Sequence, residues 1–166
     1  MKKKQSFYWN NECQQAFEQL KQKLVSPPIL IYPNFDKPFI LFTDASSFGL
    51  GAVLAQKDND GKEHVVAYAS RRTDQNERNY YATELECLAV VWAIQQFRPY
   101  LQSNVPFTII TDHSALKGLF NKPQLSGRLA RWVMTLRDYN YNIEHRKGRL
   151  HSNVDPLSRH FQPEPT

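Results

Sequence analysis

Two periodicities of apolar residues alternate along the chain, and together they predict a mixture of strands and helices. Continuous apolar runs or two-residue alternation predict five strands, at about 39–44, 49–56, 65–70, 107–111 and 139–144. Apolar residues spaced three and four apart predict helices at about 11–25, 80–101, 114–120, 127–138 and 154–160. Asn10 or Asn11 can cap the first helix, which has to end before Pro27.

The order of these elements predicts an α/β fold with one mixed five-stranded sheet. The first three strands follow one another closely, and Asp58-Asn59-Asp60-Gly61 is typical of a hairpin turn, so these strands should be antiparallel. Helix and strand then alternate, which favours two parallel strands and helices on both faces of the sheet. We expect residues 1–37 to form a helix and tether, residues 38–160 the domain and residues 161–166 a tail.

Size and composition fit one soluble, intracellular domain and favour a polyanionic partner. The 166 residues are 41% hydrophobic, which is enough for a core. No apolar run reaches the roughly 20 residues of a membrane span, so we expect no membrane partner and no signal peptide. The net charge of +5 and the pI of about 9.2 are typical of nucleic-acid-binding proteins without proving that function. Cys13 and Cys87 lack CxxC spacing, so we expect two reduced core cysteines.

Candidate chemistry is concentrated at the ends of two predicted strands. The segments 39–46 and 107–114 both run from apolar residues into Thr-Asp-x-Ser. If the two strands are parallel neighbours, Asp44 and Asp112 leave the sheet at the same edge, where α/β proteins form their sites. A buried aspartate at such a position needs a partner, a cap or a metal, because an unpaired buried charge costs several kcal/mol.

Two further carboxylates are candidates for the same site. Glu86 shares a helix face with the apolar residues that pack on the sheet, whereas Glu84 lies off this face. Asp155 precedes Pro156 at the start of the last predicted helix. Carboxylates that converge repel one another unless cations bind them, and oxygen ligands favour Mg²⁺ or Mn²⁺ over zinc. A pair of such ions about 4 Å apart is the usual arrangement for phosphoryl chemistry.

Each carboxylate also has a purely structural interpretation. These are a capping box in Thr83-x-x-Glu86, a helix cap for Asp112, an Asx-turn with Ser46 for Asp44, and an N-cap for Asp155 with Pro156 at the first helical position. Any one of the four residues alone is explained by its local role. The convergence of several carboxylates is what favours a metal site.

Seven short motifs occur in a defined order along the chain. They are Thr43-Asp44-Ala45-Ser46, Gly49-Leu50-Gly51-Ala52-Val53-Leu54, Tyr68-Ala69-Ser70-Arg71, Glu86-Cys87-Leu88-Ala89-Val90-Val91, Thr111-Asp112-His113, Arg131-Trp132 and Asp155-Pro156-Leu157-Ser158-Arg159. This ordered set closely resembles the ribonuclease H domain of reverse transcriptases from gypsy-type LTR retrotransposons. The resemblance covers roughly residues 7–160, and the part before Pro27 resembles the end of the connection to the polymerase.

The resemblance implies a ribonuclease H-like fold and an endonuclease that cuts the RNA strand of RNA–DNA hybrids. It places the metal ligands at Asp44, Glu86, Asp112 and Asp155, with two Mg²⁺ ions and Mn²⁺ as a possible substitute. In the family, one ion activates the attacking water and the other stabilises the departing 3′ oxygen. The resemblance also implies the polymerase part of the same polyprotein as a partner. The implied location is a cytoplasmic virus-like particle or the nucleus.

Further residues acquire candidate roles from the resemblance. Related ribonucleases H carry a histidine near the position of His145 that assists proton transfer or product release, whereas many gypsy-type relatives have an aromatic residue there. The other interpretation of His145 is a basic loop residue, which is also how we interpret His151. Candidates for binding the substrate backbone are Ser46, Arg71, Arg72, His113, Arg128 and Arg131. Solvated arginines are an equally good explanation of the basic positions.

A second function class remains open from the sequence. The same fold can serve as a catalytically silent nucleic-acid-binding or scaffold domain that supports the polymerase. Such domains lose their carboxylates, and all four are present here. An integrase-like relative is disfavoured, because its last carboxylate would be a helical glutamate instead of Asp155.

Overall fold

The strands predicted from the sequence form one mixed sheet with the order β3-β2-β1-β4-β5. The computed structural model describes residues 8–26, 30–120, 122, 125, 127–147 and 153–159. Its strands are β1 (Phe39–Ala45), β2 (Gly49–Lys57), β3 (Glu63–Arg72), β4 (Phe107–Thr111) and β5 (Tyr141–His145). The first three are antiparallel, and β4 pairs parallel with both β1 and β5. This arrangement confirms the predicted sheet.

Six helices accompany the sheet in the described part of the chain. They are α1 (Asn11–Leu24), α2 (Ala82–Gln96), α3 (Arg98–Leu101), α4 (Ala115–Leu119), α5 (Gly127–Leu136) and α6 (Asp155–Arg159). A short 3₁₀ turn, Glu77–Asn79, precedes α2. None of the described helices has the length and apolar character that a membrane crossing requires.

The period of two along β1 sends its side chains into two separate cores. Phe39 and Leu41 belong to the larger core, which α2, α4 and α5 cover. Ile40 and Phe42 point to the other face, where Val154 and Leu157 of the α6 region pack on them. The sheet therefore carries helices on both faces, as predicted.

Helix α6 approaches the sheet closely because Gly51 has no side chain. A Cβ atom added to Gly51 would lie 2.8 Å from Cβ of Leu157 and 3.0 Å from the backbone nitrogen of Ser158. Atoms at these distances overlap, so only glycine permits this contact between β2 and α6. The contact places Asp155 at the edge of the sheet where β1 ends.

Two predictions are wrong: the unbroken length of the long helix and the burial of Cys13. The helix predicted at 80–101 is divided at Phe97, which has φ −100° and ψ 17°, because Pro99 lacks an N–H and cannot continue the α2 hydrogen-bond ladder. Cys87 lies in the core as expected, but Cys13 is only half-buried on α1. Both cysteines are free thiols.

Helix α1 begins where the capping residues predict. The Asn10 side chain accepts a hydrogen bond of 2.9 Å from the backbone N–H of Cys13. Its apolar residues Phe17 and Leu20 remain exposed, and no residue of the helix is buried against the described part of the domain.

Candidate metal centre

Parallel pairing of β1 and β4 brings the two Thr-Asp segments together. The register pairs Phe42 with Ile110, and each aspartate follows two residues later. Asp44 and Asp112 therefore leave neighbouring strands at the same edge of the sheet. This position is the carboxyl end of parallel strands, where α/β proteins place their sites.

Helix α2 supplies a third carboxylate to this edge. One oxygen each of Asp44, Glu86 and Asp112 lies within 4.8 Å of the other two. The predicted capping box is wrong, because Glu84, not Glu86, accepts the backbone N–H of the capping residue Tyr81 at 3.0 Å. Glu86 is thereby left to face the sheet, where it is 7% exposed.

Burial and mutual repulsion make this cluster costly in its ionised form. Burial, and then the charges of Asp44 and Asp112, raise the pKa of Glu86 to about 9. Burial also raises the pKa of Asp44, and the nearby charges of Asp112 and Asp155 add to the increase. Without a cation, Glu86 therefore keeps a proton at neutral pH.

The donor set of the cluster is compatible with a divalent cation. Oε2 of Glu86 is buried and has no hydrogen-bond partner among the described residues, although the backbone N–H of Ala45 does bond to this carboxyl group. An unpartnered buried carboxylate oxygen is expensive unless a cation or a proton meets it. The three ligands offer only oxygen, which magnesium and manganese prefer over softer metals.

A serine of α6 contacts the most buried aspartate of the cluster. The Ser158 hydroxyl, itself 0% exposed, donates to Oδ2 of Asp44. The predicted Asx-turn of Asp44 with Ser46 is wrong, because the Ser46 backbone N–H donates to the Gly49 carbonyl at 2.9 Å. Ser46 instead accepts the backbone N–H of Phe48 at 3.1 Å and donates to the Ser158 carbonyl at 2.6 Å. These contacts connect the turn after β1 to α6.

Asp155 lies beside the cluster but not within it. Its Oδ1 atom accepts a hydrogen bond of 2.5 Å from Nε of Arg159, four residues later in α6. Its charge nevertheless contributes to the raised pKa of Asp44. The carboxylate is half-exposed, and its role as a metal ligand remains a prediction.

Two histidines flank Asp112. Nε2 of His145, at the end of β5, lies 3.0 Å from the Asp112 carbonyl oxygen. His113 follows Asp112 directly, and its Nε2 atom lies 2.9 Å from the hydroxyl of Thr83 on α2. Within the described residues the predicted helix cap at Asp112 is not formed, since α4 begins after Ser114 without a side-chain cap.

Of three arginines predicted to bind substrate, two contact other side chains of the domain and one is exposed to solvent. Arg71 forms a two-pronged ion pair with Glu77, at 2.7 and 2.9 Å. The Arg128 guanidinium stacks on the Tyr80 ring at 3.9 Å from its centroid. Arg131 is exposed on α5. Their roles in binding substrate remain predictions, as do those of Ser46 and His113.

The contacts of Ser158 and Thr83 could not be predicted from local sequence patterns. Ser158 lies in the same short motif as Asp155, so the motif itself marks the residue but not its partner. Thr83 was interpretable only as a capping residue, because its partner His113 is 30 positions away.

Comparison with known families identifies the class of this domain. The family described as "RNase H-like domain found in reverse transcriptase" matches residues 34–139. The chain belongs to this family. This match confirms the predicted ribonuclease H-like domain of a reverse transcriptase.

Curated relatives of the chain are retrotransposon polyproteins, which confirms the predicted retrotransposon origin and is consistent with the gypsy type. The chain is 44% identical over 158 residues to the "Retrovirus-related Pol polyprotein from transposon 412" of Drosophila melanogaster, covering 95% of this chain and 13% of the relative. It is 40% identical over 163 residues to the "Transposon Tf2-3 polyprotein" of Schizosaccharomyces pombe, covering 96% of this chain and 12% of the relative. The chain therefore spans about one eighth of these polyproteins.

Solved structures confirm the ribonuclease H-like fold. The foamy viral protease-reverse transcriptase in complex with double-stranded DNA matches 97% of this chain and 33% of its own with a TM-score of 0.66 and 18% identity. RNase H1 from Halobacterium salinarum matches 72% of this chain and 93% of its own with a TM-score of 0.55 and 13% identity.

Proposed function

We propose that this domain is an endoribonuclease that hydrolyses the RNA strand of RNA–DNA hybrids with the help of two divalent metal ions. The observation that carries the proposal is the convergence of Asp44, Glu86 and Asp112, whose ligand atoms lie within 4.8 Å of one another. The family to which the chain belongs supports nuclease chemistry. Mg²⁺ is the proposed ion and Mn²⁺ a substitute.

The residues of the chain have defined tasks in this proposal. Asp44, Glu86 and Asp112 hold the ions, and Asp155 joins them when its carboxylate leaves Arg159. Mg²⁺, when bound there, would supply Lewis-acid activation of water and charge stabilisation at the departing 3′ oxygen. Hydrolysis of the P–O3′ bond would leave 5′-phosphate and 3′-hydroxyl ends. His145, beside the Asp112 backbone, assists proton transfer or product release.

The proposed substrate is supported by the net positive charge of the chain, and the proposed partner by the polyproteins that the chain resembles. The net charge of +5 favours a polyanion, and one foamy viral protease-reverse transcriptase was solved with an RNA/DNA hybrid. We propose backbone contacts from Ser46, Arg71, His113, Arg128 and Arg131. The polymerase part of the same polyprotein is the proposed partner, since a curated relative is a Pol polyprotein. The proposed location is a cytoplasmic virus-like particle or the nucleus.

Gel analysis of a labelled hybrid tests the proposal. The purified chain is incubated with an RNA–DNA hybrid in Mg²⁺, in Mn²⁺ or in EDTA, with the matching DNA duplex and RNA duplex as competitors for specificity. We expect metal-dependent cutting confined to the RNA strand of the hybrid. Asp112→Asn should abolish the cutting, whereas Asp138→Asn, at an exposed position outside the cluster, should not.

The same experiment discriminates the second function class. Binding of the hybrid without cutting in either metal would contradict the nuclease proposal and favour a silent binding or scaffold domain. Full activity of Asp112→Asn would show that the cluster is not the catalytic centre. Asp112→Asn should also raise the melting temperature of the metal-free protein, because it removes one of the repelling charges.

A further inference from the structure

A hydrogen bond between Thr83 and His113 bridges the two elements that carry Glu86 and Asp112. The Thr83 hydroxyl lies in the first turn of α2, three residues before Glu86, and is 2.9 Å from Nε2 of His113. His113 follows Asp112 at the end of β4. The contact lies close to the carboxylate cluster because each residue is near one of its members in the chain. Both side chains are half-buried, so solvent can still reach the contact.

The direction of the hydrogen bond between Thr83 and His113 decides which nitrogen of His113 carries the proton in the neutral form, because a hydroxyl can both donate and accept. The Thr83 hydroxyl has no other acceptor among the described residues, so we take it as the donor to Nε2. An imidazole whose Nε2 accepts a hydrogen bond carries its proton on Nδ1 in the neutral form.

A second hydrogen bond fixes the backbone of His113 to the end of β4. Its N–H donates to Oγ1 of Thr111 at 3.1 Å. The residue is therefore fixed at its main chain by β4 and at its ring by α2. Its Nδ1–H has no partner within the described ranges, which leaves one oriented donor beside the cluster.

We propose that Thr83 is a positioning residue that presents Nδ1–H of His113 to a phosphate oxygen of the nucleic-acid backbone. This inference rests on the proposed function, because it assigns the contact at the same site. A ring N–H donor beside three carboxylates gives an approaching phosphate a hydrogen bond where the local charge repels it. Backbone phosphate contacts position a duplex without reading its sequence.

The second histidine beside Asp112, His145, provides a comparison for the tautomer assigned to His113. Nε2 of His145 faces the Asp112 carbonyl oxygen at 3.0 Å, and a carbonyl can only accept a hydrogen bond. His145 therefore carries its proton on Nε2. The two histidines that flank Asp112 should be opposite tautomers.

Long-range ¹H–¹⁵N NMR spectra of histidine-labelled protein in EDTA test the tautomers at alkaline pH, where histidines are neutral. His113→Ala and His145→Ala assign the signals. We expect the Nδ1–H pattern for His113 and the Nε2–H pattern for His145. In Thr83→Val, which keeps the shape of the side chain without its hydroxyl, His113 should lose its preference, and Thr83→Ser should restore it. An Nε2–H pattern for His113 in the unmodified chain would overturn the proposal.

Fluorescence anisotropy with a labelled RNA–DNA hybrid in EDTA at low salt tests the phosphate contact without turnover. Thr83→Val and His113→Ala should each weaken binding by about three- to tenfold, as expected for one hydrogen bond. The double variant should bind no more weakly than His113→Ala, because Thr83 acts through His113. Thr135→Val is the control, since that exposed hydroxyl donates to the Arg131 carbonyl of its own helix and has no other partner within the described ranges.

The outcomes separate this inference from the proposed function. Unchanged affinity in Thr83→Val, or additive losses in the double variant, would overturn the positioning role even if the chain cuts hybrids normally. Absence of cutting with the expected tautomers and affinity changes would contradict the nuclease proposal and leave the phosphate contact established.

Discussion

The Ser158 hydroxyl donates a hydrogen bond to Oδ2 of Asp44, although the two residues are 114 positions apart in the chain. Ser158 is 0% exposed and Asp44 is 2% exposed, so water cannot replace either group. The bond fixes one oxygen of the aspartate and attaches α6 to β1. The stability of the last helix and the geometry of the cluster are therefore coupled through one side chain.

Replacement of Ser158 by alanine should destabilise the metal-free protein by about 1–3 kcal/mol, the cost of leaving a buried acceptor without its donor. Urea denaturation in EDTA measures this change. Ser114→Ala is the matched control, because the exposed Ser114 makes no side-chain cap to α4 and its loss should change stability by less than about 0.5 kcal/mol. Equal midpoints for the two variants would contradict the role assigned to Ser158.

Gly51→Ala should also destabilise the fold, by about 1–3 kcal/mol, because the new methyl group would overlap Leu157 and the backbone of α6. Gly118→Ala makes the same chemical change in α4, where nothing lies within 4 Å of the added Cβ. That variant should be neutral or slightly more stable, since alanine favours helix. Thermal melting of the two proteins side by side decides the question, and a loss in Gly118→Ala as large as that in Gly51→Ala would show that packing against α6 is not the cause.

The stability of the metal-free protein should fall as pH rises between the ordinary glutamate pKa of 4.5 and about 9, the folded value for Glu86. In this window the folded protein keeps a proton on Glu86 that the unfolded chain releases, so each rise in pH favours unfolding. The raised pKa of Asp44 acts in the same direction. Melting temperatures in EDTA across the window measure the slope.

Glu86→Gln isolates this contribution, because all other titrating groups are common to both proteins. The variant should lose stability less steeply with pH than the unmodified chain. Added Mg²⁺ should stabilise the unmodified chain most at high pH, where the carboxylates are ionised. Parallel pH profiles for the two proteins would show that Glu86 is not protonated in the folded state.

His145→Ala should slow hybrid cleavage by about 10- to 100-fold without abolishing it, because a residue that assists proton transfer accelerates a step that the metal ligands already support. Single-turnover and steady-state rates in Mg²⁺ measure the effect. His64→Ala, in the hairpin opposite this edge of the sheet, is a control that should retain the rate. An unchanged rate in His145→Ala would leave His145 as an ordinary surface histidine.

Local patterns were sufficient to predict most of the fold. The apolar runs in 39–44 and 107–111 reflect burial of both sheet faces, and the Asp58–Gly61 turn requires the positive φ of +81° that Gly61 adopts. Because these signals depend on neighbours a few residues apart, they predicted the strands and their antiparallel and parallel pairing, but not the order of the strands in the sheet. They also did not predict the division of the long helix, because the apolar spacing continues on both sides of Pro99.

The sequence by itself determined which carboxylates are present and that two of them follow strands with the same Thr-Asp-x-Ser ending. Only the tertiary structure decided that these strands are parallel neighbours, that Asp44 binds Ser158, and that His113 and His145 face different partners. Most of these contacts join residues that are 30 to 114 positions apart. A hydrogen bond forms at separations near 3 Å, and the residues that reach this distance are fixed by packing of the sheet and helices, not by any local pattern.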